Sequence, residues 1–248
     1  MPDSIEKTGV CDMTHEQRQA RGGAKRLTIL RFLASGERWT VVEIAQKLFA
    51  CERTAALATL QSLAADGLLR RVKISPTLPA IWGITSAGLA EVDDFTSPPF
   101  EGANPLFFEH HIATQRARLR AEDAGWTNWT PGKKLLPPPG KNKGGQAPKV
   151  PDAIVTDPSG RRIAIEIERL VKAKRKYREI IKAHLLAIKA GKYDAVHYIS
   201  PTGKHGQIEA ALLAVHDVEL LGERVKLTDA HRARFKFFDL ANWPTVQS

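Results

Sequence analysis

The sequence contains few cysteines and no long apolar run. Only Cys11 and Cys51 occur among its 248 residues, and this pair forms neither a disulfide framework nor a zinc-ligand set by spacing. No apolar run approaches the roughly 18 residues that a membrane span needs. The polar first residues also lack the apolar segment of a secretory signal. These absences exclude a disulfide-stapled or membrane-spanning protein, and we expect a cytoplasmic chain without a membrane partner.

Negative charge is also scarce, and the positive excess is unevenly distributed. The net charge is +10. Residues 1–100 hold 12 Lys and Arg against 11 Asp and Glu, a net of +1, whereas residues 101–248 hold 25 against 16, a net of +9. Such an excess attracts polyanions through counterion release. Because the apolar fraction of 43% is typical of folded proteins, the charge indicates either a folded nucleic-acid-binding protein or a solvated basic surface.

The first half has the element order of a winged-helix domain. A Thr40–Glu43 capping box is expected to open its second helix. Periodicity and turn signals predict three helices and then two strands around a proline-bearing tip, over 24–34, 41–50, 52–66, 68–74 and 81–85. This order is typical of a winged helix, and the fragments DGLLRRV and GITSAGLA resemble the wing of many such regulators. We therefore assign 24–95 to a winged helix, after a flexible segment over 1–23.

The third predicted helix and the wing are expected to read DNA. The side chains involved would be Arg53, Thr54, Ala58 and Gln61 on the exposed helix face, and Arg70, Arg71 and Lys73 beside the wing. Winged helices also serve as protein–protein modules. The strongly basic second half favours the DNA interpretation.

Two breaker-rich segments divide the remainder of the chain. The proline-rich stretch 96–105 is predicted to be a linker. The stretch 137–148 (PPPGKNKGGQAP) is predicted to be a mobile loop within the C-terminal domain, 106–248. Backbone phosphates are expected to be contacted by Lys141 and Lys143 of this loop and by Lys149, which follows it. A simple surface insertion explains the composition equally well.

The segment from Lys149 onward predicts a β-hairpin that gathers acidic side chains. Two alternating stretches, KVPDAIVTD and RRIAIEIER, flank the turn DPSG. In the second strand Ile163, Ile165 and Ile167 should share one face, while Ala164, Glu166 and Glu168 share the other. Folding about the turn places Asp152 beside Ile165 and Glu166, so three carboxylates, Asp152, Glu166 and Glu168, are predicted to cluster.

Clustered carboxylates repel one another unless a proton or a cation bridges them. Hard oxygen ligands of this kind suit Mg²⁺ or Mn²⁺, and such an ion polarises a phosphodiester and activates water. A basic helix is predicted over 170–190. Lys172 and Lys176 within it are four residues apart and would share a face, where a lysine would stabilise charge developing on phosphate oxygens.

An aspartate, a turn and then Glu-x-Glu resembles the PD-(D/E)xK nuclease core, here Pro151-Asp152 and Glu166-Ile167-Glu168. The resemblance covers about 106–240 and implies an α/β (α+β) fold, a restriction-endonuclease-like mixed sheet flanked by helices. It also implies a preceding helix, predicted over 106–120, whose Glu109, His110 and His111 are further candidates. Glu168 stands where the family usually has lysine. Lys172, and second Lys176, are the residues expected to restore that charge.

The whole chain also resembles the MOBC family of plasmid mobilization relaxases, which pair a winged helix with D…ExExxxK; related replication-relaxation proteins share this layout. The matching residues are Asp152, Glu166, Glu168 and Lys172. The resemblance implies nicking of one strand at a plasmid origin of transfer, with an accessory mobilization or coupling protein as partner. Tyr177, beside the lysines, leaves a tyrosyl–DNA intermediate open as an alternative to water attack.

Two other functions remain open from the sequence. Glu168 in place of the family lysine favours a non-catalytic winged-helix regulator of transcription or replication initiation. A restriction-type endonuclease that cuts both strands is the second alternative. It would cut linear DNA, whereas a relaxase would open supercoiled plasmid only where an origin is present.

Overall fold

The computed structural model describes residues 14–94, 97–136, 149–220 and 222–244. These residues form helices and mixed sheets, so the chain has a mixed α and β fold, as expected. Lys141 and Lys143, two of the expected phosphate contacts, lie outside the described residues. Within the described part, no helix combines the length and the apolar character needed to cross a membrane.

The N-terminal unit contains every helix and strand predicted for it. Its elements are α1 (His15–Phe32), β1 (Trp39–Thr40), α2 (Val42–Leu48), α3 (Arg53–Ala65), β2 (Leu69–Val72), β3 (Ile81–Ile84) and α4 (Ser86–Ala90). β2 and β3 form an antiparallel hairpin, and β1 pairs antiparallel with the other side of β3. The helices bury Leu30, Ile44 and Leu60 against hairpin residues such as Ile81 and Ile84.

The start of α1 differs from the prediction. The segment 1–23 was expected to be flexible, yet its residues from His15 onward are helical. The cause is a capping box, in which the Thr14 side chain accepts from the Gln17 amide at 3.2 Å and the Gln17 side chain accepts from the Thr14 amide at 2.9 Å. These two bonds satisfy amides that a helix end otherwise leaves without partners.

The capping box predicted at Thr40 is wrong. α2 begins at Val42, behind Val41, and has no side-chain cap. Thr40 is fully buried in β1, and its hydroxyl donates to Gln115 Oε1 at 2.9 Å. Because the hydroxyl has a long-range acceptor, it is not used by the local helix.

Part of the segment predicted as a linker packs against the N-terminal unit. Phe100 is buried, and its amide donates to the Ile84 carbonyl at 2.8 Å. Its ring lies against Gly83, where an added Cβ would come within 2.1 Å of the ring. Glycine at position 83 therefore makes room for Phe100. The domain boundary at 96–105 stays a prediction.

The C-terminal part is built on a five-stranded mixed sheet. Its helices are α5 (Phe108–Asp123), α6 (Gly132–Leu135), α7 (Lys174–Lys189), α8 (His205–Leu213) and α9 (Asp229–Arg232). Its strands are β4 (Thr127–Pro131), β5 (Ala153–Thr156), β6 (Arg162–Ile167), β7 (Ala195–Ser200), β8 (Asp217–Leu220), β9 (Glu223–Lys226) and β10 (Phe235–Asp239). The order is β10-β7-β6-β5-β4, with β8 and β9 forming a separate hairpin. β10, β7 and β6 are parallel, whereas β6, β5 and β4 are antiparallel neighbours.

The two faces of β6 divide as the alternation predicts. Ile163, Ile165 and Ile167 pack in one cluster with alanines of α5. Ala164 packs on the other side with Tyr177 and further residues of α7. The predicted hairpin is also confirmed, since Ala153 pairs with Ile165 and Thr156 with Arg162. The sheet is therefore covered by α5 on one face and by α7 on the other.

The basic helix begins later than predicted. It was expected over 170–190, but α7 starts at Lys174, behind Ala173 in an extended conformation. Its buried residues, Tyr177, Ile180, Ile181 and His184, have helical spacing and all lie beyond the first turn. Leu170 and Val171 have no such contacts and are exposed. Since packing supplies most helical stability, the unpacked residues remain outside the helix, and the prediction that Lys172 and Lys176 share a helix face is wrong.

α5 packs against both halves of the chain. Phe108, Ile112 and Leu119 join the core of the N-terminal unit, whereas three of its alanines join the core of the central sheet. The Trp39 ring stacks on Phe108 with centroids 5.7 Å apart. α5 therefore connects the N-terminal unit to the sheet that carries the acidic hairpin.

Candidate functional site

The acidic hairpin opens into a cavity of about 640 Å³ at one end of the central sheet. This pocket, called the carboxylate pocket below, is lined by all three predicted carboxylates, Asp152, Glu166 and Glu168. Five basic side chains also line it, namely Lys149, Lys172, Arg169, Lys204 and His110. The tertiary structure therefore places acidic and basic groups from several separate segments around one solvent-accessible space.

Asp152 forms hydrogen bonds with the two residues that flank Glu166 in β6. Its backbone amide donates to the Ile165 carbonyl at 2.9 Å, and its Oδ2 accepts from the Ile167 amide at 2.7 Å. The predicted position of Asp152 beside Ile165 and Glu166 is thus confirmed. Oδ1 lies 3.1 Å from Nε2 of His110. This hydrogen bond raises the pKa of His110 above its ordinary value, although burial acts in the opposite direction.

Glu166 is a buried carboxylate with one strong partner. Its Oε2 accepts from Nζ of Lys149 at 2.7 Å. Its Oε1 is 3.3 Å from Nε2 of His184, but neither atom forms a hydrogen bond in this geometry. The other ring nitrogen of His184 lies 2.7 Å from the Tyr193 hydroxyl. Glu166 Oε1 is therefore a buried oxygen without a hydrogen-bond partner, and it faces His184 of α7, which does not line the pocket.

Glu168 and Lys172 form an ion pair at the pocket wall. The Glu168 amide donates to the Ile199 carbonyl at 3.0 Å, which holds the residue beside the end of β7. Burial lowers the pKa of Lys172, while the negative charge of Glu166 opposes that shift. Glu168, which stands where the resembled nuclease motif usually has lysine, is therefore paired with a lysine four residues later.

Lys176, the second candidate for the missing lysine, lies away from the pocket. It is on the exposed side of α7, and its Nζ donates to Glu179 Oε2 at 3.0 Å. The reason is the late start of the helix, which separates Lys172 in the connecting segment from Lys176 in the first helical turn. Of the two lysines, the structure places only Lys172 among the carboxylates.

The three candidates at the start of α5 have different environments. Adjacent helical residues point about 100° apart, so His110 faces Asp152 while His111 faces β1. Nε2 of His111 lies 3.0 Å from the Trp39 carbonyl oxygen and 2.8 Å from Nε2 of Gln115. Burial lowers the pKa of His111. Glu109 is exposed and does not line the pocket.

All three tyrosines of the chain are buried. Tyr177, Tyr193 and Tyr198 are each at most 2% exposed, and none lines the carboxylate pocket. The Tyr177 hydroxyl accepts from the Lys172 backbone amide at 3.2 Å, and burial raises the pKa of this phenol. The closeness of Tyr177 to Lys172 in the sequence therefore corresponds to a core position rather than to a position in the pocket.

No group of three His, Cys, Asp or Glu side chains within the described residues is arranged to hold a metal ion. Asp152 is bound by an amide and by His110, Glu166 by Lys149, and Glu168 by Lys172. Each carboxylate thus has a local partner.

The four residues expected on the exposed face of α3 are all exposed. Thr54, Ala58 and Gln61 are exposed on α3. Arg53 is also exposed, but its guanidinium pairs with Glu43 at 2.6 Å. Any contact of Arg53 with DNA therefore competes with this ion pair.

The basic residues of the hairpin predicted to be the wing also have partners within the chain. Arg70 donates to the carbonyl oxygens of Phe100 and Glu101, at 3.2 and 2.9 Å. The guanidinium of Arg71 lies 5.9 Å from the centre of the Trp82 ring. Lys73 donates to the carbonyl oxygen of Leu78 within the hairpin. All three remain exposed.

Several residues of the pocket were not predicted from the sequence. Lys204 lies beyond β7, the parallel neighbour of β6, and Arg169 follows Glu168 directly. The carboxyl ends of parallel strands meet at one edge of a sheet, so the strand order contained a signal for Lys204. His184 does not line the pocket but lies 3.3 Å from Glu166, and its signal in the sequence was a polar residue on the apolar stripe of α7. Lys149 is expected to contact DNA phosphates, and the structure adds an ion pair with Glu166.

No protein-family model matches the chain, and no curated protein matches its sequence. Among solved structures, a match is found to a crystal structure of NadR in complex with 4-hydroxyphenylacetate. It has 18% sequence identity and a TM-score of 0.24, and covers 37% of this chain and 76% of NadR. A similarity at this TM-score supports no inference about fold or function.

Proposed function

We propose that the chain is a metal-dependent enzyme that nicks DNA, with a winged-helix reader joined to a PD-(D/E)xK-like core. The element order supports this proposal. A helix, three antiparallel strands, a helix and a parallel strand occur in this order as α5, β4, β5, β6, α7 and β7, with the short helix α6 between β4 and β5. Asp152 precedes the second of these strands, and Glu166 lies in the third. The resemblance implies a helix before the acidic hairpin and a helix and a strand after it; α5, the β5–β6 hairpin, α7 and β7 follow that order, and β4 is an additional strand.

One observation carries the proposal. The backbone and the side chain of Asp152 bond to the residues on either side of Glu166, so that both carboxylates line one pocket with Lys149 and Lys172. A phosphodiester-cleaving site needs oxygen ligands for a cation and positive groups for the phosphate. The same pocket supplies both.

The donor set fits Mg²⁺ or Mn²⁺. Asp152 and Glu166 would hold the ion, since Mg²⁺ commonly takes one or two carboxylates together with water and substrate oxygens. To bind the ion, Glu166 would have to release Oε2 from Lys149, because Oε1 is buried 3.3 Å from Nε2 of His184. Glu168 is the third candidate ligand, and it would have to release Lys172. When bound, such an ion polarises the phosphodiester and lowers the pKa of an attacking water.

The lysines of the pocket would bind and stabilise the reacting phosphate. Lys149 and Lys172 each face a carboxylate in the same space, and a fixed cation there offsets charge that develops on phosphate oxygens. Lys172 would thereby perform the role of the family lysine that Glu168 replaces. His110 would hold Asp152 in position through their 3.1 Å contact.

The finer proposal is a relaxase of the MOBC type that acts at a plasmid origin of transfer with an accessory mobilization or coupling protein. It rests on the match of Asp152, Glu166, Glu168 and Lys172 to D…ExExxxK. The exposed polar residues of α3 would read the site in the major groove. The buried tyrosines favour attack by water over a tyrosyl intermediate.

The test is a nicking assay on supercoiled plasmid that carries the cognate origin, with Mg²⁺ or Mn²⁺. The expected result is open-circular DNA from the parent chain and none from Asp152→Asn. Manganese binding, followed calorimetrically without DNA, should also be lost in Asp152→Asn. Conversion of linear DNA to double-strand fragments would instead support a restriction-type endonuclease.

A non-catalytic DNA-binding protein is the second candidate. The ion pairs of Glu166 with Lys149 and of Glu168 with Lys172 favour it, because they neutralise the carboxylates without a cation. Tight binding of DNA together with absence of manganese binding and of nicking would establish this alternative.

A further inference from the structure

Apolar side chains are exposed at the carboxylate pocket. Of the six large apolar residues that are exposed among the described residues, four line this pocket, namely Leu106, Phe107, Leu170 and Val171. Leu106 is 81% exposed and Phe107 is 63% exposed. Clustered exposure of this kind marks an interaction site, whereas scattered apolar residues are ordinary.

The fold holds these side chains in place from two separate segments. Leu106 and Phe107 lie in a short 3-10 turn before α5, where the Leu106 amide donates to Asn104 Oδ1 at 2.9 Å. Leu170 and Val171 lie in the segment between β6 and α7, bounded by the Glu168–Lys172 ion pair. Both segments adjoin residues already assigned to the site, so the apolar groups and the carboxylates face one common space.

The mixture of groups in this pocket is complementary to a nucleotide strand. Lys149, Arg169, Lys172 and Lys204 suit phosphate, and a ring such as that of Phe107 suits the flat face of a nucleobase. A nucleotide strand presents both groups in alternation. A base that is paired and stacked within a duplex does not expose its face, so an apolar side chain reaches it only when the base is unstacked.

We propose that Phe107, with Leu106, Leu170 and Val171, forms a base clamp that binds an unstacked nucleotide of the DNA strand held in the carboxylate pocket. The substrate of the site is then DNA that is locally unpaired next to the bond to be cut. This inference rests on the proposed function for the chemistry of the pocket. It adds to that function the state of the substrate and the residues that select it.

The experiment measures binding in EDTA, so that cleavage plays no part. The probe is an oligonucleotide duplex with a short unpaired bubble that contains 2-aminopurine, compared with the same duplex fully paired. The parent chain should prefer the bubble and quench the probe by stacking. Phe107→Ala should weaken binding of the bubble by roughly 5- to 150-fold, the effect of losing one stacked base, and should remove the preference over paired DNA.

Three variants sharpen the result. Phe107→Trp keeps an aromatic face and should retain the preference, whereas Phe107→Leu keeps only apolar volume and should lose it. Leu186→Ala is the matched control, because Leu186 is exposed on α7 outside the carboxylate pocket. It should bind like the parent chain. Since Phe107 is largely exposed, its variants should fold normally, which circular dichroism would check.

The clamp is overturned if Phe107→Ala binds and quenches the bubble like the parent chain. It is also overturned if the variant changes only self-association in sedimentation, because the apolar rim is then a protein interface. These outcomes can be distinguished from a failure of the proposed nicking activity. If the parent chain never nicks DNA but Phe107→Ala weakens bubble binding, the base clamp is supported and the nicking activity is not. If the parent chain nicks DNA and Phe107→Ala changes neither binding nor nicking, the nicking activity is supported and the base clamp is not.

Discussion

Nζ of Lys149 lies 2.7 Å from Oε2 of Glu166. The lysine follows the glycine-rich segment, and its sequence context favoured a contact with DNA phosphates. The carboxylate has 8% of its side chain exposed, while about a third of the lysine side chain is exposed. A buried carboxylate is therefore paired with a cation that can still face solvent, which joins the acidic hairpin to the positive charge of the pocket.

Glu166→Gln should abolish nicking while DNA binding persists. The amide keeps the shape of the side chain but loses the negative charge that would hold a divalent cation, and nicking should fall by several orders of magnitude. Gel analysis of supercoiled plasmid measures this. Glu179→Gln is the matched control, because Glu179 is an exposed carboxylate beside Lys176 on α7. Parent-like nicking by Glu166→Gln would show that the carboxylate pocket is not the catalytic site.

Lys172→Gln should impair nicking, and Lys176→Gln should not. Lys172 lines the carboxylate pocket, whereas Lys176 pairs with Glu179 on the outer face of α7. Loss of one electrostatic stabiliser of a developing anion typically costs about 100- to 1000-fold in rate. Single-turnover nicking with bound DNA gives the comparison. Equal loss in both variants would indicate a general contribution of positive charge to binding.

Gln61→Ala should weaken binding to the specific site and leave non-specific binding unchanged. Gln61 is exposed on α3, and a lost base contact costs roughly 1–3 kcal/mol. Arg53→Ala should have a smaller effect than a free arginine would, because Arg53 already pairs with Glu43. Titration of a labelled origin fragment and of a scrambled fragment separates specific from non-specific binding. Unchanged binding by both variants would assign the N-terminal unit to protein contacts.

Thr40 and Gln115 should be energetically coupled. Both side chains are buried, and the Thr40 hydroxyl donates to Gln115 Oε1 while Gln115 Nε2 donates to the Trp39 carbonyl. Gln115→Met leaves the Thr40 hydroxyl without its acceptor and removes one of the two polar neighbours of the Trp39 carbonyl, which should cost about 1–3 kcal/mol of unfolding free energy. A double-mutant cycle with Thr40→Val should give a coupling energy of roughly 0.5–3 kcal/mol. Thr59→Val, whose hydroxyl bonds only within α3, is the control.

His197 should make the protein less stable in acid. Burial lowers the pKa of His197 to about 3, and its Nδ1 accepts from the Trp243 indole at 3.1 Å. Between the ordinary pKa of 6.5 and about 3, the unfolded chain binds a proton that the folded chain does not. Stability is therefore lost as the pH falls through this window, by about 1.4 kcal/mol for each pH unit. Above pH 6.5 both states are neutral at this residue, and the effect vanishes.

His197→Gln retains an acceptor for Trp243 and cannot take up a proton in this range. Urea unfolding of the variant at pH 7.5 and pH 5 should show a smaller loss of stability than the parent chain. At pH 5 the difference should be about 2 kcal/mol. Identical losses in the two proteins would mean that His197 is protonated in the folded state.

Hairpin geometry was predictable because it follows from local rules. The DPSG turn and the two alternating segments determine the register, and with it the position of Asp152 beside Ile165. Alternation also assigned Ile163 and Glu166 to opposite faces. The strand β4 was not predicted, because Thr127–Pro131 includes a proline and a register shift that interrupt the alternation.

The amino-acid sequence alone determined the helices and strands with strong periodicity, the acidic hairpin and the basic character of the C-terminal half, since each depends on neighbouring residues. Tertiary structure decided which cation meets which carboxylate. Lys149 reaches Glu166 across the hairpin, and Thr40 bonds to Gln115 rather than to its own helix. It also decided that Tyr177 is buried in the core and that Lys172 lines the carboxylate pocket. Burial and long-range pairing depend on how distant segments pack, and no local pattern contains that information.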